Sequence, residues 1–296
     1  MITASILPAL AVLIPGLGAF LVLLAPEKNL KRIASLSFVV ALVGFAAVVL
    51  MVPLAADGLI PESRLLNLLP GFDLTMRADL PGLYFALMSS ALWLFAVIYS
   101  YGYMEGHGSR LKRFYFYYII SMSATMGVAF AGNLLTLYFF FEMLTLATYP
   151  LVIHSGTTEA NRSGTRYIIY CLSGGALVLF SWLVLQAYIP GADFQPGGYV
   201  APLLDEYRGL LIALLVILVA GFGTKAAIMP LHAWLPGAMV APTPVSALLH
   251  AVAVVKSGVF GIIRVLYFVY NPEIIHNLAV EYYLLIFVSI TIILGS

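Results

Sequence analysis

Three side chains carry charge deep inside apolar runs: Glu142, Lys225 and Lys256. His250 adds an imidazole in the same kind of setting. A charge at bilayer centre costs at least ~2.5–3.5 kcal/mol, so such residues face protein or water and mark ion pathways. Glu142 stands in Leu137-Tyr138-Phe139-Phe140-Phe141-Glu142-Met143-Leu144, where nothing screens a carboxylate from lipid. It must face inward, take up a proton, or pair with a cation. Thr145, Ala147 and Thr148 lie on or near its helical face and leave room for a partner helix or water. The bland alternative is a static buried ion pair.

Lys225 follows Gly221-Phe222-Gly223-Thr224, and Pro230, Pro236, Pro242 and Pro244 come soon after. Proline removes a helix hydrogen bond and clashes with the preceding turn. A spanning helix must therefore break here. At membrane depth, broken helices are tolerated only where protein buries them or they line water. Desolvation and a nearby carboxylate push an ammonium's pKa in opposite directions. A movable balance between the two is what a proton switch needs. The competing reading is a lysine that snorkels to the surface.

On a regular helix, His250 and Lys256 point about 120° apart and rise about 9 Å relative to each other. A water chain could join them, with Ala247, Ala251, Ala253, Ser257 and Gly258 making room. Histidine titrates near neutrality, which suits a relay. His232, in Pro230-Leu231-His232-Ala233-Trp234-Leu235-Pro236, and His154 are candidates for proton access. For both, a plain packing role is equally open. His107 and His276 are expected in loops and are assigned nothing. Arg264, nearer the end of its helix, is expected to snorkel to the interface.

Apolar spans of about 20 residues must position these groups. Residues 5–25, 33–55, 81–103, 114–131, 134–153, 163–189, 209–228, 245–270 and 281–296 qualify. The composition agrees: 62% of the 296 residues are hydrophobic and only 9% charged, where soluble domains carry roughly 25%. The first charge is Glu27, so the N-terminus reads as a first span and not as a cleaved signal peptide. Lys28, Lys31, Arg32, Arg110, Lys112, Arg113, Arg162 and Arg166 all fall on one side if the spans alternate. That side is expected to be cytoplasmic, with the N-terminus outside. Residues 57–80, with Pro61, Pro70 and Gly71, form an outer segment. The alternation from Phe72 to Arg77 predicts a short hairpin there.

Other chemistries find little support. The net charge of +1 argues against nucleic-acid binding. The single cysteine, Cys171, excludes an internal disulfide and reads as a buried small hydrophobe. No phosphate-binding loop, HExxH motif, matched histidine pair for haem, or calcium-type carboxylate cluster is present in the sequence. No cofactor and no metal is expected.

The run from Gly223 to Pro236, followed by Ala241-Pro242-Thr243-Pro244-Val245-Ser246-Ala247-Leu248-Leu249-His250, resembles the antiporter-like subunits of respiratory complex I. The same subunits recur in Mrp-type cation/proton antiporters and membrane-bound hydrogenases. Phe141-Glu142-Met143 matches as well. The resemblance implies an all-α, polytopic transmembrane bundle with a helix broken near 223–240, built from inverted repeats. Glu142 then resembles the fifth-helix carboxylate, Lys225 the lysine of the broken seventh helix, and Lys256 and His250 ionisable groups of the eighth. Gly237 departs from the pattern, since many members carry an acid there. The implied organisation is helices 1–3 over 1–113, an ion-translocating repeat of helices 4–8 over 114–270, and the start of helix 9 over 271–296. The sequence stops within that span, so two readings stay open for the second repeat: a partner completes a half-length subunit, or the rest is not represented here.

The expected function is proton translocation through a Glu142–Lys225–Lys256/His250 relay, in partnership with other membrane subunits of a bacterial or archaeal cell membrane. Redox-independent Na⁺/H⁺ exchange is the near alternative. A passive scaffold and a redox subunit binding quinone or haem are the distant ones.

Overall fold

A computed structural model describes residues 2–67, 72–107 and 110–295. Pro70 and Gly71 of the outer segment, and Ser296, lie outside the described residues.

Helices α1 (Leu7–Leu23), α2 (Leu30–Val49), the short α3 (Val52–Ala56), α4 (Leu80–His107) and α5 (Leu111–Ala129) precede α6 (Leu134–Val152) and α7 (Thr158–Tyr188). Polar caps start several of them. Asn29 accepts from the Arg32 N–H, Asn133 from Thr136 and Thr157 from Ala160, so donors left over at the helix starts are satisfied. Among the described residues, six helical stretches are long and apolar enough to cross a membrane: Leu30–Ala56, Leu80–Gly106, Leu134–Val152, Thr158–Tyr188, Arg208–Lys225 and Thr243–Val269. Two more apolar helices, α1 and the C-terminal Glu281–Gly295, are shorter. The remaining expected span, α5, is nineteen residues long. It carries Lys112, Arg113 and a row of tyrosines and hydroxyls, and packs between α1 and α6.

The outer segment is strand, as its alternation predicts, and it gains a partner. Strand β1 (Ile2–Ala4) pairs in parallel with β2 (Ile60–Asn67), which pairs antiparallel with β3 (Asp73–Arg77). This sheet caps one end of the bundle, the hairpin face. Arg77 ties it together by donating to Glu62 Oε2 and to the Phe194 carbonyl. Gly132, in the α5–α6 turn, donates to Thr75 O at 2.9 Å. A Cβ at that position would come within 2.7 Å of Thr75 Oγ1. The opposite, basic face carries Lys28, Lys31, Arg110 and Lys112.

The broken helix occurs where the prolines place it. Helix α8 (Arg208–Lys225) ends at Lys225. Ala227 then takes a left-handed φ of 57°, a conformation that ends a helix at some cost for a residue with a Cβ. Helix α9 (Trp234–Ala238) and α10 (Thr243–Ala247) follow as single turns. The eighth span contains a second break with no proline to announce it. A π-helical turn, Leu248–Val252, ends at Ala253 (φ −122°, ψ −72°), and α11 (Val254–Arg264) restarts beyond it. A further π turn (Val265–Val269), α12 (Pro272–Asn277) and α13 (Glu281–Gly295) complete the described chain.

Candidate ion-transfer site

Lys225 is fully buried, at 0% exposure. It does not snorkel. Its ammonium donates to the Phe141 carbonyl and lies 3.4 Å from the centroid of the Phe141 ring. Gly174 and Gly221 make this possible. A Cβ on either would sit within 2.8 Å of the other's carbonyl oxygen, so α7 and α8 cross closely and close the pocket over the lysine.

Glu142 is one residue on from Phe141 and also turns inward. Both carboxylate oxygens are buried, and among the described residues neither has a hydrogen-bond partner. A Cβ at position 175 would lie 1.8 Å from Oε1, so only glycine admits the carboxylate there. Glu142 and Lys225 sense each other's charge, yet no ion-pair contact joins them among the described residues. On its other flank Glu142 borders a groove of about 580 Å³ between α5 and α6, walled by Tyr117, Ile120, Phe139 and Leu146.

Lys256 is placed elsewhere. It is exposed, on the far side of α11 from the Glu142–Lys225 pocket. Of the small residues that promised room for water, Gly258 instead seats α11 on the break of α8, together with Gly261. A Cβ at Gly258 would meet the Ala226 amide at 2.4 Å, and one at Gly261 the Phe222 ring at 2.2 Å. With Ser257, Gly258 and Gly261 turned inward, 100° per residue turns Lys256 outward. His250 belongs to the π turn and Lys256 to α11, so the regular-helix separation of the two does not hold. The Nδ1 of His250 lies 2.7 Å from Ser246 O, and its Nε2 is buried with no hydrogen-bond partner among the described residues. His232 lies half-buried in the segment after the break. His154 is 5% exposed at the end of α6, edge-on to Phe114 at 5.3 Å. The two histidines expected in loops are helical instead: His107 closes α4, and His276 sits in α12 with its Nδ1 2.9 Å from Glu281 Oε1.

Arg264 corrects the snorkelling expectation. It is fully buried and binds Asp79, just before α4, through both terminal nitrogens. Phe194, Phe260 and Phe268 surround its guanidinium at 4.6–5.3 Å. Neither residue signalled this alone. The signal lay in the pairing of an acid at the start of one span with a base near the same end of another.

Residues 131–296, which include Glu142, Lys225, His250, Lys256 and Arg264 but not Asp79, match the family described as NADH:quinone oxidoreductase/Mrp antiporter, TM. The chain belongs to that family. Among its curated relatives, a Na⁺/H⁺ antiporter protein of Alkalihalophilus pseudofirmus is 32% identical over 197 residues, 66% of this chain and 24% of that protein. The chain thus spans about a quarter of the length of the curated relatives it matches. Two solved structures share the antiporter fold. A chain of the Mrp complex from Dietzia sp. superposes with a TM-score of 0.71 at 22% identity, covering 86% of this chain and 27% of that one. A chain of the membrane-bound sulfane sulfur reductase, an archaeal respiratory membrane complex, gives 0.70 at 19% identity, covering 86% and 40%.

Proposed function

We propose that this chain is the ion-carrying portion of an antiporter-like subunit in an Mrp-type or complex I-like membrane assembly, and that it moves protons. The observation that carries the reading is the separated pair: a fully buried lysine at a helix break, and a carboxylate beside it whose oxygens are buried and unpartnered among the described residues. A pair already in contact has nowhere to go. A separated pair can close and open. When Glu142 approaches, Lys225 holds its proton. When a neighbouring subunit draws Glu142 away, desolvation favours release. One pKa unit is about 1.4 kcal/mol, so a shift of a few units needs only a few kcal/mol from the driving process.

The released proton passes to His250 in the π turn, and Lys256, turned outward on α11, is the next group toward neighbouring protein. An exposed ammonium at membrane depth does not face acyl chains, so Lys256 hands its proton to protein packed on α11. The basic face is the cytoplasmic one, by the excess of Lys and Arg there, and His232 and His154 stand near it as access residues. Glu142→Gln, in the assembled complex, abolishes proton movement in vesicles. Wild-type flux in that variant removes the reading.

Relatives named as Na⁺/H⁺ antiporter subunits favour a second version, in which the same relay serves cation exchange without a redox partner. A sodium-dependent pH change in vesicles free of any redox substrate decides for that version.

A further inference from the structure

Helices α6 and α7 run side by side in opposite directions and present two matched stripes. On α6, Glu142, Thr145 and Thr148 recur every three residues. On α7, Ser163, Tyr167, Cys171 and Gly175 recur every four. At either spacing, successive side chains stand one above the next on neighbouring turns, and each stripe drifts around its helix along its length. At one end, Glu142 Oε1 rests on Gly175. Two turns away, Tyr167 Oη lies 2.6 Å from Thr148 Oγ1. Thr148 Oγ1 itself lies 2.7 Å from the Leu144 carbonyl and donates to it. Its lone pairs therefore accept the Tyr167 proton. Between the two ends, Cys171 stands one turn along α7 from Tyr167 and within electrostatic reach of Glu142 and Lys225.

All four of Thr145, Thr148, Tyr167 and Cys171 are 0–1% exposed. Toward the basic face the stripe continues to Ser163, half-buried, whose Oγ would lie 3.8 Å from a Cβ at Gly237. The Tyr167 ring packs on Trp234, in the segment following the break, at 5.2 Å. Buried phenol and hydroxyl groups carry a desolvation cost that leucine at the same helix crossing would not.

We propose that this ladder, Ser163 to Tyr167 with Thr148, then Cys171, is the path by which protons reach the Glu142 carboxylate from the basic face. Each rung accepts a proton on oxygen or sulfur as it releases its own. No rung changes its net charge, and the transferred proton ends on a Glu142 oxygen. The proposal rests on the relay reading above, because it supplies that relay's carboxylate.

The test measures proton flux in vesicles holding the assembled complex, for Tyr167→Phe, Cys171→Ala and Cys171→Ser, beside Glu142→Gln. Loss of a positioned proton carrier slows Tyr167→Phe and Cys171→Ala about tenfold or more. The deuterium solvent isotope effect rises in both, which a packing defect does not produce. Cys171→Ser keeps a proton-carrying group and runs faster than Cys171→Ala. Should Tyr167→Phe fail to assemble, the serine–alanine comparison at position 171 carries the test alone. Equal rates for those two, with an unchanged isotope effect, overturn the path. If Glu142→Gln is inactive while every ladder variant is unimpaired, the path alone is wrong. If Glu142→Gln also runs at the wild-type rate, the relay reading falls with it.

Discussion

Among the described residues, the Asp79–Arg264 and Glu142–Lys225 pairs within the helix bundle are built in opposite ways. Near the hairpin face, Asp79 and Arg264 touch through two hydrogen bonds inside a cage of three phenylalanines. Deeper, Glu142 and Lys225 stand apart, the lysine satisfied by a backbone carbonyl and the carboxylate by nothing described. Closed contact offsets the desolvation of both charges and fixes two helices, α4 and α11, against each other. Open separation leaves that energy unclaimed and available to whatever moves the carboxylate. One pair is built as an anchor; the other is the one we propose as a switch.

Breaking the anchor gives the largest effect on stability. Asp79→Asn leaves a fully buried guanidinium without its counter-charge and costs ~3–5 kcal/mol. It is read as a lower thermal midpoint of the detergent-solubilised protein. Near wild-type stability would erase the contrast between the pairs. Next comes Gly175→Ala. Its methyl group would lie 1.8 Å from Glu142 Oε1, an overpacking that costs ~1–3 kcal/mol and displaces the carboxylate. Thermal melts and flux assays together check this, and flux falls further than the melt alone accounts for. Glu142→Gln removes a charge that makes no contact, so the melt changes by about 1 kcal/mol or less although flux is lost. A loss as large as that of Asp79→Asn would mean that the Glu142–Lys225 pair is closed at rest. Smallest is Lys256→Ala, whose exposed side chain is worth about ±0.5 kcal/mol to the solubilised chain. Its melt overlays the wild type while its flux drops.

The regions of the molecule differ in how openly their sequences declare them. The helix break after Lys225 is legible because four prolines enforce it, and the hairpin because Phe72–Arg77 alternates. The inward turn of Glu142 and Lys225 follows from the cost of charge in lipid. The second break, at Ala253, is not legible: a π turn has no proline and leaves the apolar pattern intact. That break, with the seating of Gly258 and Gly261 on α8, decides where Lys256 points. The Arg264–Asp79 contact joins residues 185 positions apart, and a base near a span end looks the same whether it snorkels or is bound. Thr148, Tyr167 and Cys171 each look like ordinary helix filling until α6 and α7 are laid together.

Infrared difference spectroscopy on the assembled complex, stepped between resting and energised states, tests most directly whether Glu142 works as a switch. The account predicts a protonated-carboxyl band that changes between the two states and disappears in Glu142→Gln. The same band persisting unchanged in Glu142→Gln would contradict it.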